Sequence, residues 1–322
     1  MIKPMRRHLN LLPTPMAGLA LAIASLGWSW ENAGNFDGVA QNVGAIIGGT
    51  MLLLIAFKFV LSPKNLWADL QHPVIGSVVP TFAMGVMIVS SALGKWSPLT
   101  GDTLWLVAVG LHLTFLCSFV YHRAKSFSLS HMVPSWFVPP VGLVVADVAF
   151  SGNPALRPVA DAILFFGLLS YAILLPMMIY RLIFCGEVPD GAKPTIAIMA
   201  APASLSLAGY LTVSQSPSPV IVAVLLGIAL LMTAVIYVSF AYLMRLPFSP
   251  GFAAFTFPMV IGATALYKTA TWMQSIGVAP EYVNQISVIA FIELVVATVV
   301  VGYVSLHYRR FISLQWKQPV TA

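Results

Sequence analysis

Charge is what this chain has least of. Only 8% of its 322 residues are Asp, Glu, Lys or Arg, where soluble domains carry about a quarter. That scarcity excludes a water-facing surface over most of the length. Cysteine is nearly absent too. Cys117 and Cys185 are far apart, suggest neither a disulfide nor a metal site, and read as small buried hydrophobes inside spans. Of six histidines only His112 lies deep within an apolar run, so the facing pairs that a membrane haem protein needs are missing. There is no G-x-S-x-G elbow, no H-E-x-x-H, no G-x-x-x-x-G-K and no paired-carboxylate motif. An enzyme is therefore not expected, nor a cofactor, a metal or a nucleic-acid partner.

Apolar sequence is what fills the chain: 59% hydrophobic residues and a mean hydropathy of +0.91. A helix needs roughly 20 apolar residues to cross the hydrocarbon. Ten spans are expected at approximately 14–31, 37–61, 73–94, 101–122, 133–150, 157–183, 194–213, 219–243, 251–273 and 282–308. They use nearly the whole length, which predicts one all-α integral membrane domain over 1–322. Short tails remain at about 1–13 and 309–322. The basic start followed by an apolar run imitates a signal peptide. It lacks a clear small-residue cleavage site and reads as a retained first span.

The sixteen Lys and Arg residues set a sidedness. Thirteen fall with the two termini and three, Lys95, Arg157 and Lys268, fall opposite. The positive-inside rule then places both termini in the cytoplasm, which an even number of spans requires.

Proline carries the next level of organisation. Pro80, Pro139 with Pro140, Pro202 and Pro258 recur at a spacing near 60 residues, each inside an odd-numbered span, whereas among the even spans only the sixth has an interior proline, Pro176. A proline inside a helix removes a backbone donor and frees a carbonyl. In lipid this is tolerated where protein or a watery cavity covers the break. Breaks at one depth on alternate, like-oriented helices predict an inner ring around a conduit, built from five helical hairpins. Packing kinks are the alternative reading of the same prolines.

Few other residues invite chemistry. Glu293 sits near the middle of the tenth span, and an intramembrane acid is a functional-site hypothesis by default. A packing role and an ion-pathway role both stand open for it, and Lys268 on the preceding helix is a candidate partner. Asp147 and Lys268 lie near outer helix ends, where they tune a mouth potential or are simply solvated. In the ninth span Phe257 immediately precedes Pro258. Packing is the default reading of Phe255 and Phe257, but a ring at the break is also placed to close a lumen by dewetting.

Four segments together resemble one known family. They are Asp69-Leu70-Gln71-His72-Pro73, Pro134-Ser135-Trp136-Phe137-Val138-Pro139-Pro140-Val141-Gly142, Lys193-Pro194-Thr195-Ile196-Ala197-Ile198-Met199-Ala200-Ala201-Pro202 and Phe255-Thr256-Phe257-Pro258. The pattern is similar to the tellurite-resistance/dicarboxylate transporter family, which includes bacterial TehA proteins, plant slow anion channels, fungal malate permeases and sulfite exporters. The resemblance implies ten helices as five hairpins, quasi-five-fold symmetric around a central pore, in a homotrimer of the bacterial inner membrane. It implies conduction of small inorganic or organic anions. The implied pore gate is a phenylalanine on the ninth helix, best matched by Phe257 with Phe255 as fallback. A proton-coupled C4-dicarboxylate or sulfite transporter is the alternative within the family.

Overall fold

The computed structural model describes residues 2–317, with side chains from residue 6 onward. The outermost parts of the expected tails, residue 1 and residues 318–322, lie outside the described residues. Each expected span coincides with a helical segment, labelled in chain order: α1 Met16–Ala33, α2 Val39–Leu61, α3 Ile75–Gly94, α4 Pro98–Lys125, α5 Pro134–Val148, α6 Arg157–Phe184, α7 Asp190–Val213, α8 Pro219–Leu243, α9 Pro250–Ser275 and α10 Pro280–Lys317. Eight of these, α2–α4 and α6–α10, are long and apolar enough to cross a membrane, and α5 is a shorter apolar helix. Helix also forms where the sequence suggests only tail and loop, at Ile2–Asn10 and Pro63–Gln71. Proline at the first position of the latter supplies a preset φ where no donor is needed.

Burial separates the helices into two layers. In α3, α7 and α9, 72%, 83% and 78% of the apolar window is buried, against 28–39% in the five even helices. Every residue of α5 but Pro140 is buried, as is α1 from Met16 to Ala22. Contacts explain the contrast. Each odd helix packs on the next, and α9 returns to α1, which closes a ring. Each even helix packs outside, against its hairpin partner. Their outward faces carry bare apolar side chains such as Val60, Phe165 and Val238, a surface suited to lipid and not to water. Cys117 is exposed on α4 and Cys185 half-buried beyond α6. The expectation of two buried cysteines is thus corrected, because both sit on the outer layer.

Three of the odd helices, α5, α7 and α9, mix 3₁₀ and α forms, whereas α1 is continuous α-helix and α3 is α-helical on both sides of Pro80. α7 begins with eleven residues of 3₁₀ helix, Asp190–Ala200, before Ala201–Val213 turns α-helical. α9 does the same over Pro250–Phe255 and then Thr256–Ser275, and α5 alternates between the two forms. A 3₁₀ helix rises about 2.0 Å per residue against 1.5 Å. It is a thinner rod that covers more depth with fewer residues. Pro139 and Pro202 stand in the first turn of the α segments that follow, and Pro80 at the cap. A missing N–H there leaves no ladder bond unmade.

Candidate functional site

The ring encloses a cavity of about 430 Å³ that all five odd helices line. It begins among Asn10–Pro15 and Ser249–Gly251, at the ends where odd helices start, and reaches Leu21, Met84, Leu205 and Phe257. A second cavity of about 10 Å³, close to the room one water needs, lies further along the same helices, against Ser25, Trp28, Ile88, Val148 and Thr264. Successive wall residues step by three or four: Gly18, Leu21, Ser25 and Trp28 on α1, and Phe257, Ile261 and Thr264 on α9. That is one face of a helix.

Phe257 lines both cavities and is 7% exposed. Phe255 touches neither. Its ring is fully buried between Phe252, at 4.7 Å, and Phe240, at 5.5 Å. Two residues of helix separate the rings, and about 200° of rotation sends them opposite ways. Pro202 and Pro258 line the large cavity. Pro80, Pro139 and Pro140 do not, a correction to the expectation that all five break prolines form the wall. In α3 and α5 the wall is made by the neighbours Val78, Thr81, Val138 and Val141, since each residue turns the helix by about 100°.

Carbonyls around the breaks are met by protein donors. The hydroxyls of Thr81, Thr195 and Thr256 donate to Val78, Ala192 and Ala253 oxygens at 2.7, 2.6 and 2.7 Å. From the outer layer, His112 Nε2 donates to Pro139 O at 2.8 Å and Trp105 Nε1 to Ala146 O at 2.8 Å. Tyr308 OH donates to Pro250 O at 2.5 Å. The lone deep histidine is therefore a brace for the double-proline break, and the hydroxyls beside the prolines were its legible counterparts in sequence.

The family profile described as SLAC1, voltage-dependent anion channel, matches residues 14–307, from the cavity mouth to the end of the apolar part of α10. The chain belongs to that family. Among its curated relatives, an uncharacterized transporter of Methanocaldococcus jannaschii is 28% identical over 65% of this chain and 68% of its own length. A second from the same organism is 27% identical over 66% and 69%. A protein of Haemophilus influenzae named Tellurite resistance protein TehA homolog is 25% identical over 80% and 81%.

Within this SLAC1-family chain the two deep acids, Glu293 and Asp147, stand away from the wall. Glu293 is 5% exposed and borders neither cavity; its Oε2 has no hydrogen-bond partner among the described residues. It is wedged behind α9, where a Cβ on Gly262 would come within 2.5 Å of Oε2. No ion pair joins it to Lys268 among the described residues. Lys268 is instead four residues past Thr264, on the cavity-facing stripe of α9. Asp147 is not solvated at a helix end but fully buried, with neither oxygen partnered among the described residues. It lies against Gly209, because α5 sinks into the ring along its whole length.

The large cavity also has a polar corner that sequence reasoning missed. Lys58, Asp69 and Thr14 line it together. In sequence Lys58 reads only as one of the thirteen charges on the side of the termini, and Asp69 only as the start of the Asp69–Pro73 segment. The three come from separate helices or entrances, so no local spacing announces them. The one available signal was a lysine set three residues inside the end of an apolar span.

Proposed function

We propose that this SLAC1-family chain is an anion-selective channel or uniporter gated by Phe257. Ten helices in five hairpins, with quasi-five-fold symmetry, cross a bacterial inner membrane, both termini cytoplasmic, as one domain of a homotrimer. The observation that carries the reading is the position of Phe257, the side chain common to a wide cavity lined by all odd helices and to the small cavity beyond it. An apolar ring there excludes hydrated ions by dewetting. Carbonyls at the breaks that already accept a side-chain hydrogen bond support anion preference, because bare carbonyl rings favour cations. Association with tellurite resistance belongs to this proposal through the Haemophilus relative's name. A proton-coupled carrier would need a protonatable group on the path; Glu293 stands off it, and Asp69 on the cavity wall is the carboxylate left for that role.

The test is Phe257→Ala in planar bilayers or oocytes. Anion current rises from a low wild-type level, with reversal potentials following the anion gradient. Background current at normal surface expression removes the gate, and reversal potentials that follow the cation remove the selectivity.

A further inference from the structure

Lys58 and Asp69 are the only charged side chains on the wall of the large cavity among the described residues. They are not equivalent. The Lys58 side chain is 7% exposed and that of Asp69 is 21% exposed. The Lys58 ammonium donates to Leu12 O and to Thr14 Oγ1, each at 2.8 Å. Asp69 Oδ2 stands 4.0 Å from it, beyond hydrogen-bond distance. An ammonium has three N–H donors, and the third has no acceptor within reach among the described residues. Asp69 is held by another group, the Thr14 hydroxyl, which donates to Oδ2 at 2.5 Å.

This places a buried cation on an apolar-walled chamber, with one donor uncommitted and its counter-charge held off by a threonine. We propose that Lys58 is the anion-binding and selectivity-determining residue of the vestibule, and that Asp69 is the competitor that an entering small inorganic anion must displace. The inference rests on the channel reading above and deepens it. Low-dielectric walls focus the field of a lone charge and raise the local counter-ion concentration about tenfold or more. Asp69 suppresses that field at rest. Removing Asp69 unmasks it, and removing Lys58 leaves a vestibule that repels anions. Thr14 acts as a positioning residue, since its hydroxyl accepts from one partner and donates to the other.

Two readouts test this. In the Phe257→Ala background, in bilayers under a potassium chloride gradient, Lys58→Met lowers the chloride-to-potassium permeability ratio at least about tenfold, while Asp69→Asn raises it and Lys58→Arg retains it. On purified protein with Phe257 intact, bromide raises the thermal unfolding midpoint. Lys58→Met abolishes that shift and Asp69→Asn enlarges it. If both ratios and both bromide shifts stay at parental values, the assignment to Lys58 is overturned while the channel reading stands. If Phe257→Ala passes no current, the gate fails and the bromide arm alone decides on Lys58. If Lys58→Met does not fold, Asp69→Asn decides: an unchanged ratio and an unchanged bromide shift overturn the proposal.

Discussion

Two adjacent glycines on α2 offer the sharpest check on the packing of the ring. Gly48 faces α1: a Cβ built there would lie 2.6 Å from Ala20 O and 3.0 Å from the Ala24 Cβ. Gly49 faces α3, and its Cβ would meet the Val89 methyls at 3.8 Å, an ordinary contact. Small residues at helix crossings let backbones approach closely in membranes, and only Gly48 is such a crossing. Replacing either by Ala adds the same helix-propensity gain, up to about 1 kcal/mol. That term cancels in the comparison of the two variants. What remains is the clash at Gly48, where the obstacle is a backbone carbonyl that cannot rotate aside. Relief requires α1 and α2 to separate by the difference between 2.6 Å and the 3.4 Å of ordinary contact. Overpacking of this kind costs typically about 1–3 kcal/mol. Gly48→Ala is therefore expected to unfold below Gly49→Ala by that margin, with Gly49→Ala at or above the parent. Thermal unfolding of the three purified proteins in one detergent, followed by tryptophan fluorescence, measures the order. Equal midpoints, or a less stable Gly49→Ala, would refute the close approach of α1 and α2.

Other outcomes follow from the same geometry. His112→Phe leaves the Pro139 carbonyl without its donor in a dry site, a loss of about 1–3 kcal/mol. It also removes Nδ1, which has no partner among the described residues, so the net destabilisation is expected to be about 1 kcal/mol, read as a lowered midpoint; an unchanged midpoint would mean that another donor reaches that carbonyl. Glu293→Gln keeps the shape of a side chain that borders neither cavity, so anion flux into proteoliposomes is expected to match the parent at pH 6 and at pH 8. A flux that loses its pH dependence in this variant would restore the coupled carrier.

The two-layer plan was legible because one sequence signal, proline, tracked it. Proline marked alternate spans, and those spans are the buried ones. The 3₁₀ character of α7 and α9 was not legible. It differs from α-helix in whether side chains recur every three residues or every 3.6. A rod buried on every side, such as residues 197–210, has no polar face against which to read that period. Phe257 stood ahead of Phe255 in sequence by its place before Pro258, but which of the two rings meets a cavity was legible only in space. Lys58, Thr14 and Asp69 are 44 and 55 residues apart in their contacts, and long-range polar clusters leave no periodic trace. Asp147 was misplaced for a related reason. Nearness to a helix end predicts solvation for an outer helix, but α5 is buried to its last turn.

The polar groups of the ring settle into a consistent division of labour. Backbone oxygens at the breaks are engaged by Thr81, Thr195, Thr256, His112, Trp105 and Tyr308. A carbonyl that already accepts one hydrogen bond offers a cation only its second lone pair. The field along the proposed path is then set by formal charges, and among the described residues the vestibule wall carries just two. At 4.0 Å, opposite unit charges attract by about 4 kcal/mol at an effective dielectric of 20. Most of the Lys58 field is thereby cancelled at rest. An arriving anion competes with Asp69 for the ammonium and does not simply add to an open positive site. Such a vestibule holds an anion weakly, and conduction requires binding that also permits exit. A lysine left wholly uncompensated in the same apolar chamber would hold its anion too well to pass it on toward Phe257.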